Sequence, residues 1–353
     1  MGLPNINIIF KEAAGTFIKR GNRGTVALIL KDEKCKAVLN IETMDDIPDT
    51  LSPYNKNQIQ LALMGTVNPP SKVIAFVQGI AEDFSEAKNY LETAKFDYLA
   101  VPGVDKVAAD NIAQWIKNLR MSKGFKVKAI LPNCATDSEG VINFATEDIM
   151  VGTEKFAAKD YCSRIAGVLA GLPLNISSTY QVLREITDVP HLSKSDFDKA
   201  VDDGKLVLIN DGEKVKIARG VNSLVTTTSD KGEDFKKIKI VETMDMIHND
   251  IKNMSEDTYI GKVPNTYDNK SLLITSIKGY YEELENEQLL DKGHNVIDID
   301  IEAQKRFLKA MGQNVQDMKE QEIKWANTRD KVFLISSIKI VDAMEDINLN
   351  INM

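Results

Sequence analysis

The chain has 353 residues, 43% apolar and 27% charged, an ordinary globular composition with enough length for two domains. A formal net charge of −8 excludes a general nucleic-acid binder, which needs a dominant basic surface. Its apolar runs fall short of the ~18 residues that a membrane helix needs, so no direct membrane insertion is expected.

The opening MGLPNINIIFKEAAG lacks a basic segment followed by a long apolar one, so no secretory signal is expected. Ile6 stands where a myristoylation signal carries Ser or Thr. Residues 1–25 read instead as an N-terminal arm. Ile6, Ile8 and Phe10 fall on one face and Asn5 and Asn7 on the other, the period of a half-buried strand, and Pro4 is its only obvious edge-blunting device. Gly15, Gly21 and Gly24 interrupt the arm, and KRGNRG reads as a flexible turn. Arg20 and Arg23 there could line an anion nest; a hinge with solvated charges explains them more simply.

TVALIL and KAVLNI read as short strands, and DTLSPYNKNQIQLALMG as turn residues followed by a helix with Ile59, Leu63 and Met64 in helical spacing. From residue 72 the pattern becomes regular: KVIAFV is a strand, DFSEAKNYLETAK an amphipathic helix and FDYLAVPG a strand. VDKVAADNIAQWIKNLRMSKG is a helix whose apolar face takes Val104, Val107/Ala108, Ile112, Trp115/Ile116 and Leu119, and FKVKAILPN is again a strand. Such alternation predicts βαβ units and a mostly parallel sheet. After EGVINFATEDIM, the helix in AAKDYCSRIAGVLAGLPLN has a small apolar middle and should pack closely against a neighbour. GKLVLINDGEKVKIARGVNSLVTTT predicts a β-hairpin turning at Asn210–Glu213. Helices are expected at roughly 241–254, 267–289 and 302–324. DKVFLISSIKIVDAMEDINLNINM reads as a long strand, a short link and a terminal strand. In that last strand Ile347, Leu349, Ile351 and Met353 alternate with Asn348, Asn350 and Asn352, with no following turn to pair it locally and no edge protection after Asp346. IKIVETMDMI at 238–247 echoes IKIVDAMEDI at 338–347, which similar strand-exit chemistry explains without a repeat architecture. The expected fold class is α/β (α+β): a mixed sheet with βαβ units, a C-terminal α+β domain and extended strand arms at both termini. The boundaries fall at 1–25, 26–175, 176–330 and 331–353.

Catalytic signatures do not emerge. No G-x-G-x-x-G follows a strand, and no G-x-x-x-x-G-K-[ST] or G-x-S-x-G occurs. Close helix packing accounts for Gly167 and Gly171 better than a phosphate loop does. His191, His248 and His294 share no metal-ligand spacing, and His248 beside Asp250 reads as a surface pair. Cys35, Cys134 and Cys162 form no CxxC and are odd in number, which points to reduced thiols in a cytoplasm. Hydroxyl-rich TTTSDKGED reads as a loop before a helix cap, and Glu242 and Asp245 as a solvated i,i+3 pair. No catalytic, cofactor-binding or metal-ligating residue is therefore assigned. The charged feature that stands out is Lys305, Arg306 and Lys309 on one side of IEAQKRFLKAMG, opposite Ala303, Phe307, Leu308 and Met311. It is either a solvated face or a docking stripe for an acidic partner.

Four stretches in order, LPNINIIFKEAAGTFIKRGNRGTVALIL, AAKDYCSRIAGVLAGLPLNISSTYQVL, ARGVNSLVTTT and DKVFLISSIKIVDAMEDINLNINM, resemble contractile tail sheath subunits over nearly the whole chain. The similarity is to the short form in PBSX-like phage elements and in R-type bacteriocins (tailocins) of the diffocin kind. The resemblance implies a structural protein, not an enzyme, assembled in the bacterial cytoplasm into a phage tail or a released bacteriocin particle. It implies six-fold rings of the chain itself stacked around a tail tube, with baseplate and tail-terminator proteins as further partners. Ile6, Ile8, Phe10, Ile347, Leu349 and Ile351 would add strands to neighbouring subunits; seven extended residues reach about 23 Å. The C-terminal domain would lie inward, with Lys305, Arg306 and Lys309 against the tube. Contraction would be rigid-body repacking that needs no nucleotide. A metabolic α/β enzyme or an adaptor dimerised by strand swapping are the competing readings.

Overall fold

TVALILK forms strand β1 (Thr25–Lys31) because both its faces are apolar: Val26, Leu28 and Leu30 enter one core, and Ala27 and Ile29 another. A strand of that kind is stable only with a layer on each side. The computed structural model describes Ile18 and residues 23–80 and 83–353. Their contacts define two compact units, one within Gly21–Asn249 together with Ile340–Met353, the other Asp250–Lys339. The division passes within a helix and leaves residues 176–249 in the unit that holds the sheet.

In the first unit, β2 (Ala37–Ile41), helix α1 (Pro53–Leu63) and β3 (Lys72–Gln78) follow β1. Then come α2 (Ser85–Leu91), β4 (Tyr98–Ala100), α3 (Lys106–Ser122), β5 (Lys128–Pro132) and β6 (Val141–Phe144). A ribbon of β7 (Ile149–Val151) and β8 (Glu154–Phe156) leads to α4 (Ala158–Ala170), α5 (Lys194–Asp202) and β9 (Lys205–Leu206). The expected hairpin is β10 (Leu208–Asn210) with β11 (Val215–Ile217), and α6 spans Ile238–Met254. Among the described residues a seven-stranded sheet runs β2-β3-β1-β4-β5-β6-β9, with β2 antiparallel and the others parallel. Helices α1 and α4 cover one face, α2 and α3 the other. Gly167 lets α4 meet α1: a Cβ there would lie 2.3 Å from the Ala62 carbonyl oxygen.

Strand order reverses at β1, where α/β proteins usually hold ligands beyond the carboxyl ends of the strands. Here the chain's own groups fill that place. Asp32, just past β1, accepts from the amides of Lys34 (2.9 Å) and Ser52 (3.0 Å) and from the Asn55 side chain (2.8 Å). Those bonds, the Ser52 amide foremost, hold its carboxyl well below the usual range.

Two sequence expectations shift. The buried face of α3 is Ala109, Ile112, Ala113, Ile116 and Leu119, while Val107 points to solvent, because the helix starts at Lys106 and Val107 falls on its outer side. The 238–247 decapeptide lies in α6, which starts three residues earlier than expected, so strand-exit chemistry does not describe it.

The second unit contains α7 (Tyr267–Asn286), β12 (Val296–Ile299), α8 (Ile301–Ala310), α9 (Glu320–Trp325) and β13 (Leu334–Ser337), with β12 and β13 antiparallel. The helix expected over 302–324 is two helices. The first stops at Ala310 because Gly312 turns left-handed (φ 82°), and the second is held by Gln304 donating to the Ile323 carbonyl. Tyr281 ties α7 to Ser336 of β13 at 2.9 Å. The long strand expected near residue 331 is the four-residue β13; just beyond it the Lys339 carbonyl accepts from the Asp291 amide at 2.8 Å and Ile340 makes an isolated bridge, and residues 341–353 join no strand ladder among the described residues.

Candidate functional site

The apolar side chains of the last residues find no cover. Ile347 is 82% exposed, and Leu349 and Ile351 are each 75% exposed. A soluble protein seldom leaves several large apolar groups so exposed side by side unless they meet a partner. The terminal strand expected from the alternation is thus an extended tail, for which the described residues supply no pairing strand.

The root of this tail is held firmly. Residues 341–346 form a strap whose alternate members Val341, Ala343 and Glu345 are half-buried. The Glu345 carboxylate accepts from Ser177 Oγ (2.7 Å), Thr179 Oγ1 (2.7 Å) and Arg219 Nε (3.0 Å). Arg219 also reaches Asp346, Lys237 pairs with Asp342, and Lys239 Nζ donates to the Val341 carbonyl. Thr179 Oγ1 accepts in turn from the Gly220 amide at 2.9 Å, which joins the two loops of the socket.

Lys237 and Lys239 flank the first residue of α6, and α6 is fixed by charge. Glu242 Oε1 lies 3.0 Å from Lys128 Nζ, and Glu242 also pairs with Arg23. Asp245 takes both terminal nitrogens of Arg120 at 2.8 and 2.9 Å and Lys128 at 2.8 Å. Arg23 and Lys128 stand at the amino ends of β1 and β5, so the cluster seats α6 on that edge of the sheet. Burial pushes the Glu242 carboxyl up, but Arg23 and Lys128 outweigh it and hold the group at about 2. Lys128 is raised despite full burial, by Asp245 and Glu242. Glu242 and Asp245 are therefore not a solvated face, and Arg23 is not a solvated hinge charge: each is at or near the interior with a partner of opposite sign. Helical spacing alone could not reveal this, because the partners come from residues 23, 120 and 128. The one local hint is that two carboxylates one turn apart share the α6 face with Ile238 and Val241, which are buried.

The other predicted residues are placed as follows. Ile6, Ile8 and Phe10 lie outside the described residues. Lys305, Arg306 and Lys309 share helix α8; Lys305 pairs with Glu302 at 2.9 Å, and Arg306 and Lys309 are exposed. On that helix Gln304 and Leu308 are the buried members. His191 is exposed against Asp188 at 3.1 Å. Among the described residues no group of acids, histidines or cysteines has metal-ligand spacing, and no helix is long and apolar enough to cross a membrane.

Comparison with known proteins matches residues 80–223 to the phage tail sheath protein central domain and residues 230–353 to the phage tail sheath C-terminal domain. The tail sheath protein of Clostridium phage phiCD119 is 42% identical over 360 residues, covering 100% of this chain and 99% of that protein. The phage-like element PBSX protein XkdK of Bacillus subtilis is 34% identical over 181 residues, 49% of this chain and 38% of XkdK. Among solved structures, the sheath tail protein of Listeria innocua superposes with a TM-score of 0.72 at 16% identity, over 93% of this chain and 94% of that one.

Proposed function

The chain belongs to the phage tail sheath family, and on that premise we propose that it polymerises as stacked six-fold rings around a tail tube, each copy handing its C-terminal tail to a neighbour as an added strand. The observation that carries this reading is the alternation of bare Ile347, Leu349 and Ile351 on an extended tail whose root is clamped to its own body. Burying each such side chain contributes about 1.5–3 kcal/mol, and each main-chain hydrogen bond nets about 0.5–1.5 kcal/mol. A strand of this length makes a joint of several kcal/mol that holds while whole subunits move. A one-residue slip would turn the apolar face to water, so the register is specified. Residues 1–25 would serve as a second arm through Ile6, Ile8 and Phe10.

Contraction on this reading is repacking of subunits as rigid bodies, driving the tube through a bacterial envelope. It uses no turnover chemistry and no cofactor, and assembly takes place in the bacterial cytoplasm with tube, baseplate and terminator proteins. Lys305, Arg306 and Lys309 are assigned to an acidic surface of the tube. The test is removal of residues 347–353. The truncated chain should keep its circular dichroism spectrum and melting temperature, since the tail contributes no buried side chain. By electron microscopy it should form no sheath on added tubes. Sheaths of normal length from the truncated chain would refute strand donation.

A further inference from the structure

The arrangement around the strap assigns a role to residues that neither strand exchange nor the fold itself requires. Lysines at the start of a helix sit at the wrong end of its dipole, where carboxylates are favoured. Helix α6 nonetheless opens with Lys237 and Lys239 around Ile238, and Lys239 is 6% exposed. The strap supplies the shorter contacts that compensate them: Asp342 pairs with Lys237, which also lies 3.8 Å from Asp234, and the Val341 carbonyl takes Lys239. Residues 341 and 342 of the related decapeptide at 338–347 thus meet the start of the helical one at 238–247, Lys237 being the residue before Ile238. The socket is completed by Ser177, Thr179 and Arg219 around Glu345. The strap is held through hydrogen bonds and ion pairs, and the bare apolar side chains of the tail begin at Ile347, the residue after the last clamp contact at Asp346.

We propose that Ser177, Thr179, Arg219, Lys237 and Lys239 form an intramolecular receptor for the acidic strap Asp342–Asp346, and that this receptor is a positioning device which fixes where the donated tail leaves its own subunit. The proposal rests on the strand-donation reading above and adds its point of origin. A tail with a fixed root searches a small volume for its acceptor, so its effective concentration there is high; a tail freed at residue 340 gains roughly six more mobile residues and loses that advantage. The receptor also separates two tasks along one segment: charge holds the root to self, and apolar surface holds the tip to another copy.

The experiment is a charge exchange. Lys237→Glu alone, Asp342→Lys alone and the two together are compared with the native chain and with the chain lacking 347–353. The minimum concentration for sheath formation on tubes should rise about three- to ten-fold in each single variant and return to near the native value in the double variant. In 1 M salt the gap between native and single variants should narrow, since screening then acts within about 3 Å. A spin label on Met344→Cys, the strap position at 94% exposure, in a Cys35→Ser background, reports the root in the unassembled chain without relying on assembly. Its spectrum should sharpen to a mobile form in the single variants and broaden again in the double. If truncation abolishes sheaths while the single variants assemble at native concentration with an unchanged label spectrum, the receptor inference fails and strand donation stands. If truncation leaves sheaths intact, strand donation fails first. Single variants that lose assembly without rescue in the double would also overturn the receptor. Should a charge reversal unfold the chain, Thr179→Val, which removes one hydroxyl contact to Glu345, puts the same question through the label alone.

Discussion

Glu242→Gln tests whether the buried charge cluster beneath α6 works as described. The substitution keeps the shape of the side chain and removes its charge, leaving Lys128 with Asp245 and Arg23 with the Leu172 carbonyl at 3.0 Å. A carboxyl held at about 2 against an ordinary 4.5 contributes roughly 3 kcal/mol to folding at neutral pH. That agrees with the ~3–5 kcal/mol lost when one partner of a buried ion pair is deleted. For a domain of this size the loss lowers the melting temperature by roughly 6–12 °C. Because the folded pKa is depressed, the contribution is complete above the unfolded value near 4.5 and drains away as pH falls toward 2. Native and Glu242→Gln chains should therefore differ most at pH 7, by about half as much at pH 3, and hardly at all at pH 2. Thermal unfolding followed by circular dichroism at the three pH values reads this directly. A difference at pH 7 below about 2 °C, or one that stays constant down to pH 2, would refute the electrostatic account.

Gly167→Ala should destabilise the first unit by about 1–3 kcal/mol, because its methyl would sit 2.3 Å from the Ala62 carbonyl oxygen; urea unfolding measures it, and a neutral result would mean that α4 can back away from α1. Reversing Lys305, Arg306 and Lys309 to Glu should weaken assembly on tubes and leave melting unchanged, since Arg306 and Lys309 are exposed and Lys305 has only a surface partner. A map of the assembled particle with these side chains in solvent or between sheath subunits would end that assignment.

The sheet was legible because its signals are local. TVALIL and KVIAFV carry apolar residues on both faces, FKVKAILPN does so from Ala129 on, and stretches of period 3.6 separate them. The hairpin followed from Asn210–Glu213, and the close approach of α4 from its small residues. Legibility ended where the deciding partner is far along the chain. Glu242 and Asp245 look like a solvated pair until Arg23, Arg120 and Lys128 are brought beneath them. The strap shows the same limit: IKIVETMD winds into α6 while IKIVDAME stays extended, so nearly the same letters take two forms according to what each meets. The break at Gly312 was readable in principle, since a glycine followed by Gln313-Asn314 is a stop signal inside an otherwise helical pattern.

Asp32 carries a mechanical consequence. In α/β proteins that bind small molecules, the crevice beyond the strand ends is left open for the ligand, so the loops around it are not tied to one another there. Here Asp32 laces the loop after β1 to the start of α1 through Ser52 and Asn55. A block laced shut at that point does not yield there when its neighbours push. On the contraction reading proposed above, work released between copies would pass through each subunit without being absorbed in flexing this place, much as a bolted link in a chain transmits a pull that a hinged one would swallow.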